Sequence, residues 1–334
     1  MRKFNVAIVG ATGAVGHELL GVLERRKFPI GNLKLLASSR SVGKLIEFNN
    51  EAIGVEELTK DSFEGIDIAI FSAGSERAKV FAPAAVAVGA VVIDNSSAFR
   101  MDPKVPLVVP EINAEAIRTH SGIIANPNCT TIISLMPLYP LHKAFGLKRI
   151  AAASYQAVSG AGGKALDEYH RQVRQAAQGV PITVEALRHQ ILGNIIPEIG
   201  GFALGDHTTE EVKLVNEGRK IMSHPSFDAD ITCVRVPVAR AHSVVISAEF
   251  DGSASPSDVW RVLKQAPGIK VLDNPMMFYY PMPLFVAGKD DCEVGRIRES
   301  NIFSRGVQFI VVGDQLLKGA ALNAVQIAEL LIKN

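Results

Sequence analysis

Cysteine is scarce in this sequence, with only Cys129, Cys233 and Cys292 and no C-x-x-C pair. A set that is small, odd in number and so spaced argues against both a disulfide framework and a zinc site, so no metal is expected. Long apolar runs are missing too, and none approaches the ~18–20 residues that a membrane span needs. Residues 1–9 pass straight into a glycine turn, without the length or the small-residue cleavage site of a signal peptide. Neither sign of charge is in excess: 35 basic residues stand against 34 acidic ones. Nothing in that balance points to nucleic acid or an anionic membrane as a partner, so positive charge used for binding must be local. These absences describe a soluble protein of a reducing compartment, with a cytoplasmic location expected.

What is present is the composition of a globular protein, 48% hydrophobic and 21% charged over 334 residues. That length suits about two domains of roughly 150 residues each, with cores large enough to need no staples. Up to residue 128, short continuous Val- and Ile-rich runs at 4–9, 33–37, 66–72, 91–94, 107–110 and 122–125 read as buried strands. Helical patterns at 15–26 and 78–88 alternate with them, which predicts a Rossmann-type parallel, doubly wound sheet. After Cys129 the strands lengthen, at 149–158, 231–238, 243–250 and 306–312, and helical stretches at 163–178, 209–222 and 257–265 stand apart from them. This texture predicts an α+β second domain with a mostly antiparallel sheet. Residues 317–332 are amphipathic and free of proline, and read as a helix.

The first strand runs into Gly10-Ala11-Thr12-Gly13-Ala14-Val15-Gly16. Glycines between a strand and a helix let backbone approach a diphosphate, and the helix start offers N–H groups and a positive dipole end. The spacing is G-x-x-G-x-x-G rather than G-x-G-x-x-G. After the second strand comes Ala37-Ser38-Ser39-Arg40-Ser41, with no acid where NAD enzymes place one for the ribose 2′-hydroxyl. Hydroxyls and a guanidinium suit the 2′-phosphate of NADP. A polar surface turn accounts for the same residues.

Asn126-Pro127-Asn128 is turn chemistry, and it places Cys129 at or just before the start of the apolar helical run 132–139. There the helix dipole favours the thiolate. Cys233 lies inside an apolar strand and reads as inert, while Cys292 reads as part of an acidic loop that raises its pKa. His242, between two strands, could point into a cleft, and the unperturbed histidine pKa near ~6.5 suits proton transfer. A surface-loop histidine fits that position equally well. Arg235 is the one charge in the otherwise apolar stretch 233–238, so it needs either a structural carboxylate or a substrate carboxylate as partner. Glu210 and Lys213 share a helix face, as a surface ion pair would. Arg100 follows a strand of the first domain, at the end where α/β proteins bind ligands.

Seven motifs now stand in order: GATGAVG at 10–16, SSAFR at 96–100, NPNCTT at 126–131, QAVSGAGG at 156–163, EEVK at 210–213, RVPVARAH at 235–242 and DQLLKGAA at 314–321. Over nearly the whole chain this set resembles the aspartate-semialdehyde dehydrogenase family in its bacterial form. The resemblance implies Cys129 as acyl-thioester nucleophile, His242 as general acid/base and Gln156 as the group orienting the substrate. It implies that Arg235 holds the substrate α-carboxylate, that Glu210 lies near the amino group, that Arg100 and Lys213 bind phosphate, and that Asn128 contacts substrate. NADP contacts are implied for Gly10, Thr12, Gly13, Ala14, Val15, Arg40, Ser41, Ser159, Gly160 and Gln315, although the family commonly has Asn at the last position. The implied domains are an NADP-binding domain, 1–128 completed by 315–334, and a catalytic and homodimerising domain, 129–314. The implied reaction is NADP-dependent reduction of L-aspartyl-4-phosphate to L-aspartate-4-semialdehyde, on the route to lysine, diaminopimelate, threonine and methionine. Two rivals are an N-acetyl-glutamyl-phosphate reductase, whose nucleophile motif resembles NPGCYPT, and a silent paralogue acting as a binding protein.

Overall fold

The computed structural model describes residues 2–203 and 205–333. Residue 1, which opens the expected first domain, and residue 334, which ends the expected C-terminal segment, lie outside the described residues. The chain divides into two compact units, Met1–Asn128 with Ala320–Asn334, and Cys129–Gly319.

In the first unit β1 (Phe4–Val9) leads to α1 (Ala14–Arg25), and β2 (Ile30–Ala37) is followed by β3 (Leu45–Phe48), β4 (Glu51–Glu57) and β5 (Ile68–Phe71). Next come α2 (Ser75–Ala87), β6 (Val91–Asp94), α3 (Pro110–Asn113) and β7 (Ile123–Ala125). The strands form one sheet in the order β3-β4-β2-β1-β5-β6-β7. All neighbours are parallel except β3 and β4. Ala7 and Val9 pack with Ala78, Ala82 and Ala85 of α2 in one core cluster. Val6 and Ile8, on the other face by alternation, are fully buried as well. Burial on both faces is why these strands read as continuous apolar runs. The C-terminal helix, Leu322–Lys333, packs on α1, α3 and β6 of the same unit. It begins only after a π turn at Leu317–Ala321.

Two differences from expectation have local causes. Residues 107–110 make a single bridge, Leu107 to Ala125, and Pro110 starts α3 instead of ending a strand. Proline lacks the N–H that a ladder needs but suits the first turn of a helix. The hairpin β3–β4 was not expected, because Glu47, Glu51, Glu56 and Glu57 interrupt its apolar pattern at the sheet edge, where exposed charge is tolerated.

The second unit opens with α4 (Cys129–Phe145), then β8 (Leu147–Gln156), α5 (Gly163–Gln178), α6 (Thr209–Met222), β9 (Asp228–Arg235) and β10 (His242–Phe250). It continues with α7 (Pro256–Gln265), β11 (Ile269–Val271), α8 (Pro283–Val286), β12 (Cys292–Glu299) and β13 (Gly306–Gly313). The sheet order is β11-β12-β13-β10-β8-β9, antiparallel at its centre and parallel in the outer pairs β11–β12 and β8–β9. The α4 helix packs on β8, β10, β12 and β13 and on α6 and α7, which explains its nearly continuous burial from Thr130 to Leu138. A Thr208–Glu211 capping box starts α6, so Glu211 is spent on the helix end and on the Cys233 N–H, leaving Glu210 to face inward. Cys292 corrects one expectation: it is no loop residue but the fully buried first residue of β12. The acidic neighbours Asp290 and Asp291 precede the strand and Glu293 pairs with Lys289, so the local sequence looked more exposed than it is.

Among the described residues no helix is long and apolar enough to cross a membrane, and no group of His, Cys, Asp and Glu is arranged to hold a metal.

Candidate active site and cofactor cavity

Register assembles the site of the second unit. Gln156, the last residue of β8, is the direct neighbour of Arg235, the last residue of β9. On the other side of β8, Ser243 pairs with Tyr155, so His242 stands beside Gln156 at the same end of the sheet. Three polar side chains, each at most 6% exposed, therefore line up across adjacent strands. Cys129 occupies the first position of α4, within the same unit.

The polar groups are bonded to one another. Ser154 Oγ donates to Gln156 Oε1 at 3.0 Å, which turns the amide nitrogen toward Glu210 Oε1 at 3.2 Å. Thr130, beside Cys129, donates to the same carboxylate oxygen at 3.4 Å, and Lys213 Nζ donates to Glu210 Oε2 at 2.9 Å. Glu210 and Lys213 are thus not a plain surface pair, since the carboxylate is buried and only the lysine reaches solvent.

The Ala157 backbone N–H donates to His242 Nδ1 at 3.0 Å. A backbone N–H can only donate, so Nδ1 is an acceptor and the neutral ring carries its proton on Nε2. Nε2 lies 3.5 Å from the Gln156 amide nitrogen, and as both are donors in this tautomer they do not hydrogen-bond to each other. Burial first, and then the Arg235 charge, pushes the His242 pKa down to about 3, against a smaller upward pull from Glu210. The unperturbed value near ~6.5 belongs to a ring in contact with water, which this fully buried ring lacks.

Arg235 Nη1 donates to the Ala157 carbonyl at 2.7 Å. Among the described residues no carboxylate lies within ion-pair distance of it, so the structural-carboxylate alternative does not hold. Burial pulls its pKa down, while Cys129 and Glu210 pull it up. The guanidinium also lines a cavity of about 170 Å³ with Ala161, Ile196 and Ile199, beside the Arg188–Glu198 ion pair. Burial pushes the Cys233 thiol up to about 12, as befits an inert cysteine.

Gly160 closes this site. A Cβ there would lie 2.9 Å from His242 Cε1, 3.0 Å from Nε2 and 3.1 Å from Arg235 Nη1. We expect Gly160→Ala to lower kcat/KM by about 100-fold through displacement of both groups, with the fold retained by circular dichroism. Unchanged kinetics would show that the neighbours can yield. Gly319 protects Cys129 in the same way, since its Cβ would lie 2.8 Å from Cys129 Cβ.

Ser159 and Gln315, expected to touch the cofactor, are buried, and their polar groups bond within the unit. Gln315 accepts from the Ala241 N–H at 2.8 Å and donates to Ser159 Oγ, which donates to the Ala239 carbonyl. Ala241 has φ +73°, a left-handed backbone costly for a residue with a Cβ. Gln315 thus holds the strained turn that delivers His242. Sequence reasoning missed that turn, as well as Thr130 and Ser154, because no local signal marks them.

The first unit holds a separate cavity of about 190 Å³ over the carboxyl ends of β2, β1 and β5. Gly10, Thr12, Gly13, Ser38 and Arg40 line it, and so does Arg77, which sequence reasoning overlooked. Gly10 has φ +90°, and a Cβ there would lie 2.4 Å from the Ser72 carbonyl oxygen. A Cβ on Gly16 would lie 2.4 Å from the Gly10 carbonyl oxygen, so the turn packs as tightly as its glycines suggest. Ala14 and Val15 form the first turn of α1, whose N-cap, Gly13, has no capping side chain. Thr12 and Ser41 hydroxyls lie 3.4 Å apart. This close backbone, open helix start and cationic rim fit a dinucleotide. Arg100, in the same unit, donates to the carbonyls of Asn126 and Asn95 at 2.9 and 2.8 Å. Asn128 is buried.

Comparison with known proteins agrees with this reading. The profile described as semialdehyde dehydrogenase, NAD binding domain, matches residues 5–120, and the one described as semialdehyde dehydrogenase, dimerisation domain, matches 138–318. The chain belongs to the semialdehyde dehydrogenase family. It is therefore an oxidoreductase with a Rossmann-type nucleotide domain. The aspartate-semialdehyde dehydrogenase of Aquifex aeolicus is 48% identical over 99% of this chain and 98% of its own. The crystal structure of aspartate semialdehyde dehydrogenase II from Vibrio cholerae complexed with ASA is 43% identical, covers 100% of this chain and 99% of its own, and superposes with a TM-score of 0.97. A more distant semialdehyde dehydrogenase structure, with NADP from Candida albicans, is 25% identical over 99% of this chain and 98% of its own, with a TM-score of 0.76.

Proposed function

We propose that this protein is an NADP-dependent aspartate-semialdehyde dehydrogenase that forms L-aspartate-4-semialdehyde from L-aspartyl-4-phosphate through a thioester on Cys129. The observation that carries the proposal is the row of Arg235, Gln156 and His242 at one end of the second sheet, in the unit whose first helix begins at Cys129. The names of relatives matched over nearly their whole length print aspartate semialdehyde, the product in this reading.

In this reading the Cys129 sulfur attacks the acyl carbon, the carbon–oxygen bond to phosphate breaks and phosphate departs. Backbone N–H groups at the start of α4 and the Nε2–H of His242 stabilise the oxygen that gains charge. Gln156, oriented by Ser154 and Glu210, positions the acyl group. Arg235 grips the α-carboxylate, which supplies the ion-pair partner that no described carboxylate provides. Glu210 faces the amino group, Asn128 adds a substrate contact, and Lys213 and Arg100 are phosphate ligands. For His242 to accept a proton at Nε2, the ring must adopt its other tautomer and give up the Ala157 bond. The first unit holds NADP through Gly10, Thr12, Gly13, Ala14, Val15, Arg40 and Ser41. When bound, the nicotinamide would supply hydride to the acyl carbon; the carbon–sulfur bond then breaks, the semialdehyde leaves and the Cys129 thiolate is restored.

The second unit makes the homodimer, in keeping with the dimerisation profile it matches. The protein works in the cytoplasm, where its cysteines would stay reduced. The product feeds lysine, diaminopimelate, threonine and methionine synthesis.

Phosphate-dependent reduction of NADP with aspartate semialdehyde tests the activity. Turnover with N-acetylglutamate semialdehyde alone would overturn it. We further expect Arg235→Leu to raise KM for the semialdehyde by about 100-fold while leaving KM for NADP within about twofold, as removal of a charge-assisted carboxylate contact should. Equal effects on both would make Arg235 structural.

A further inference from the structure

We propose that Arg77 is a second ligand for the 2′-phosphate of the cofactor, acting with Arg40. The inference rests on the NADP reading and adds a residue that no motif marks. In the sheet β1 lies between β2 and β5. Arg40 follows β2 and Arg77 sits in the first turn of α2 after β5, so the two cations reach one cavity from either side of β1.

Charge makes the case. The lining residues of the cavity include both guanidiniums and neither Asp nor Glu. Among the described residues neither arginine forms an ion pair. The adjacent acid, Glu76, is engaged by Lys79 at 3.1 Å. Among the described residues the only hydrogen bond of the Arg77 guanidinium runs from Nη1 to the Ala73 carbonyl at 3.3 Å, and Ala73 is itself part of the cavity wall. That bond ties the guanidinium to the rim without neutralising it. A cation in the first turn of a helix also opposes the positive end of the dipole. Two like charges on one small rim, one of them at an unfavourable helix position, are relieved together by a dianion. A ribose 2′-hydroxyl offers no such charge and is met instead by a carboxylate in NAD enzymes.

Calorimetric titration of the full-length protein with 2′,5′-ADP and with 5′-AMP, which differ only in the 2′-phosphate, tests this. The wild type should prefer 2′,5′-ADP. Arg77→Ala should weaken 2′,5′-ADP by about tenfold, the size of one charge-assisted contact, and 5′-AMP by less than about twofold. Arg77→Lys should recover part of the loss. Equal weakening of both ligands, or of neither, overturns the role of Arg77. If the wild type binds both ligands alike, the NADP reading itself fails. If the wild type discriminates and only Arg40→Ala removes the preference, this inference alone fails.

Discussion

Replacing Cys129 with alanine should lower turnover by at least about 10⁴-fold and leave binding of 2′,5′-ADP unchanged. Removing the nucleophile of a covalent mechanism removes the intermediate itself, and losses of that order or greater follow in other enzymes. Cofactor binding survives because its cavity belongs wholly to the first unit, whereas Cys129 begins the second. The substitution is also mild for the fold, since alanine is a better helix former than cysteine and fills less space beside Gly319. The measurement is steady-state kinetics, with mass spectrometry of enzyme quenched during turnover. The wild type should carry an aspartyl adduct on the peptide with Cys129, and the variant none. Turnover near the wild-type rate, or an adduct elsewhere, would remove the thioester mechanism.

Replacing His242 with asparagine should cost about 10²- to 10⁴-fold in kcat/KM, the usual contribution of a positioned proton-transfer group. It should also change stability against pH in a direction set by burial. The folded-state pKa of His242, about 3, lies below the ordinary 6.5. Between those values the unfolded chain binds a proton that the folded one does not, so this histidine makes stability rise with pH across that window. Above pH 6.5 it contributes no slope. Acidification from 6.5 toward 3 therefore weakens the wild type by about 1.4 kcal/mol per pH unit through this one residue. Asparagine, which does not titrate, removes that dependence. Denaturant titrations at pH 7.5 and pH 5 should show a smaller drop for His242→Asn than for the wild type. Equal drops would mean that the ring is hydrated and titrates in the folded protein. The same burial implies that no acid limb near pH 6.5 in the wild-type rate profile belongs to this imidazole.

Much of the fold was legible because local rules and tertiary packing agree. α5 and α6 begin and end where their patterns do, and β1 and β6 match their apolar runs. The edge hairpin β3–β4, the three-residue β11 and the eight-residue β12 beside it were illegible, since strands at a sheet edge or next to it need no strong alternation. Cys292 shows the converse, a residue beside acids that is buried because its strand enters the sheet there.

The sequence by itself determined the parts that depend on neighbours along the chain. Pro127 and the turn around it put Cys129 at a helix start, and the glycines of 10–16 open the first helix to an anion. These are effects of φ, ψ and the helix dipole over a few residues, so a local reading suffices. Tertiary structure alone decided which strands became neighbours. Only the order β10-β8-β9 and its register bring Arg235, Gln156 and His242, 86 positions apart at the widest pair, Gln156 and His242, onto one edge. Only packing buried His242 and lowered its pKa, turned Gln315 toward the strained Ala241, and brought Arg77 to the cavity of Arg40. Pairing between distant strands is set by which buried surfaces fit, and nothing in the spacing of residues along a chain encodes that fit directly.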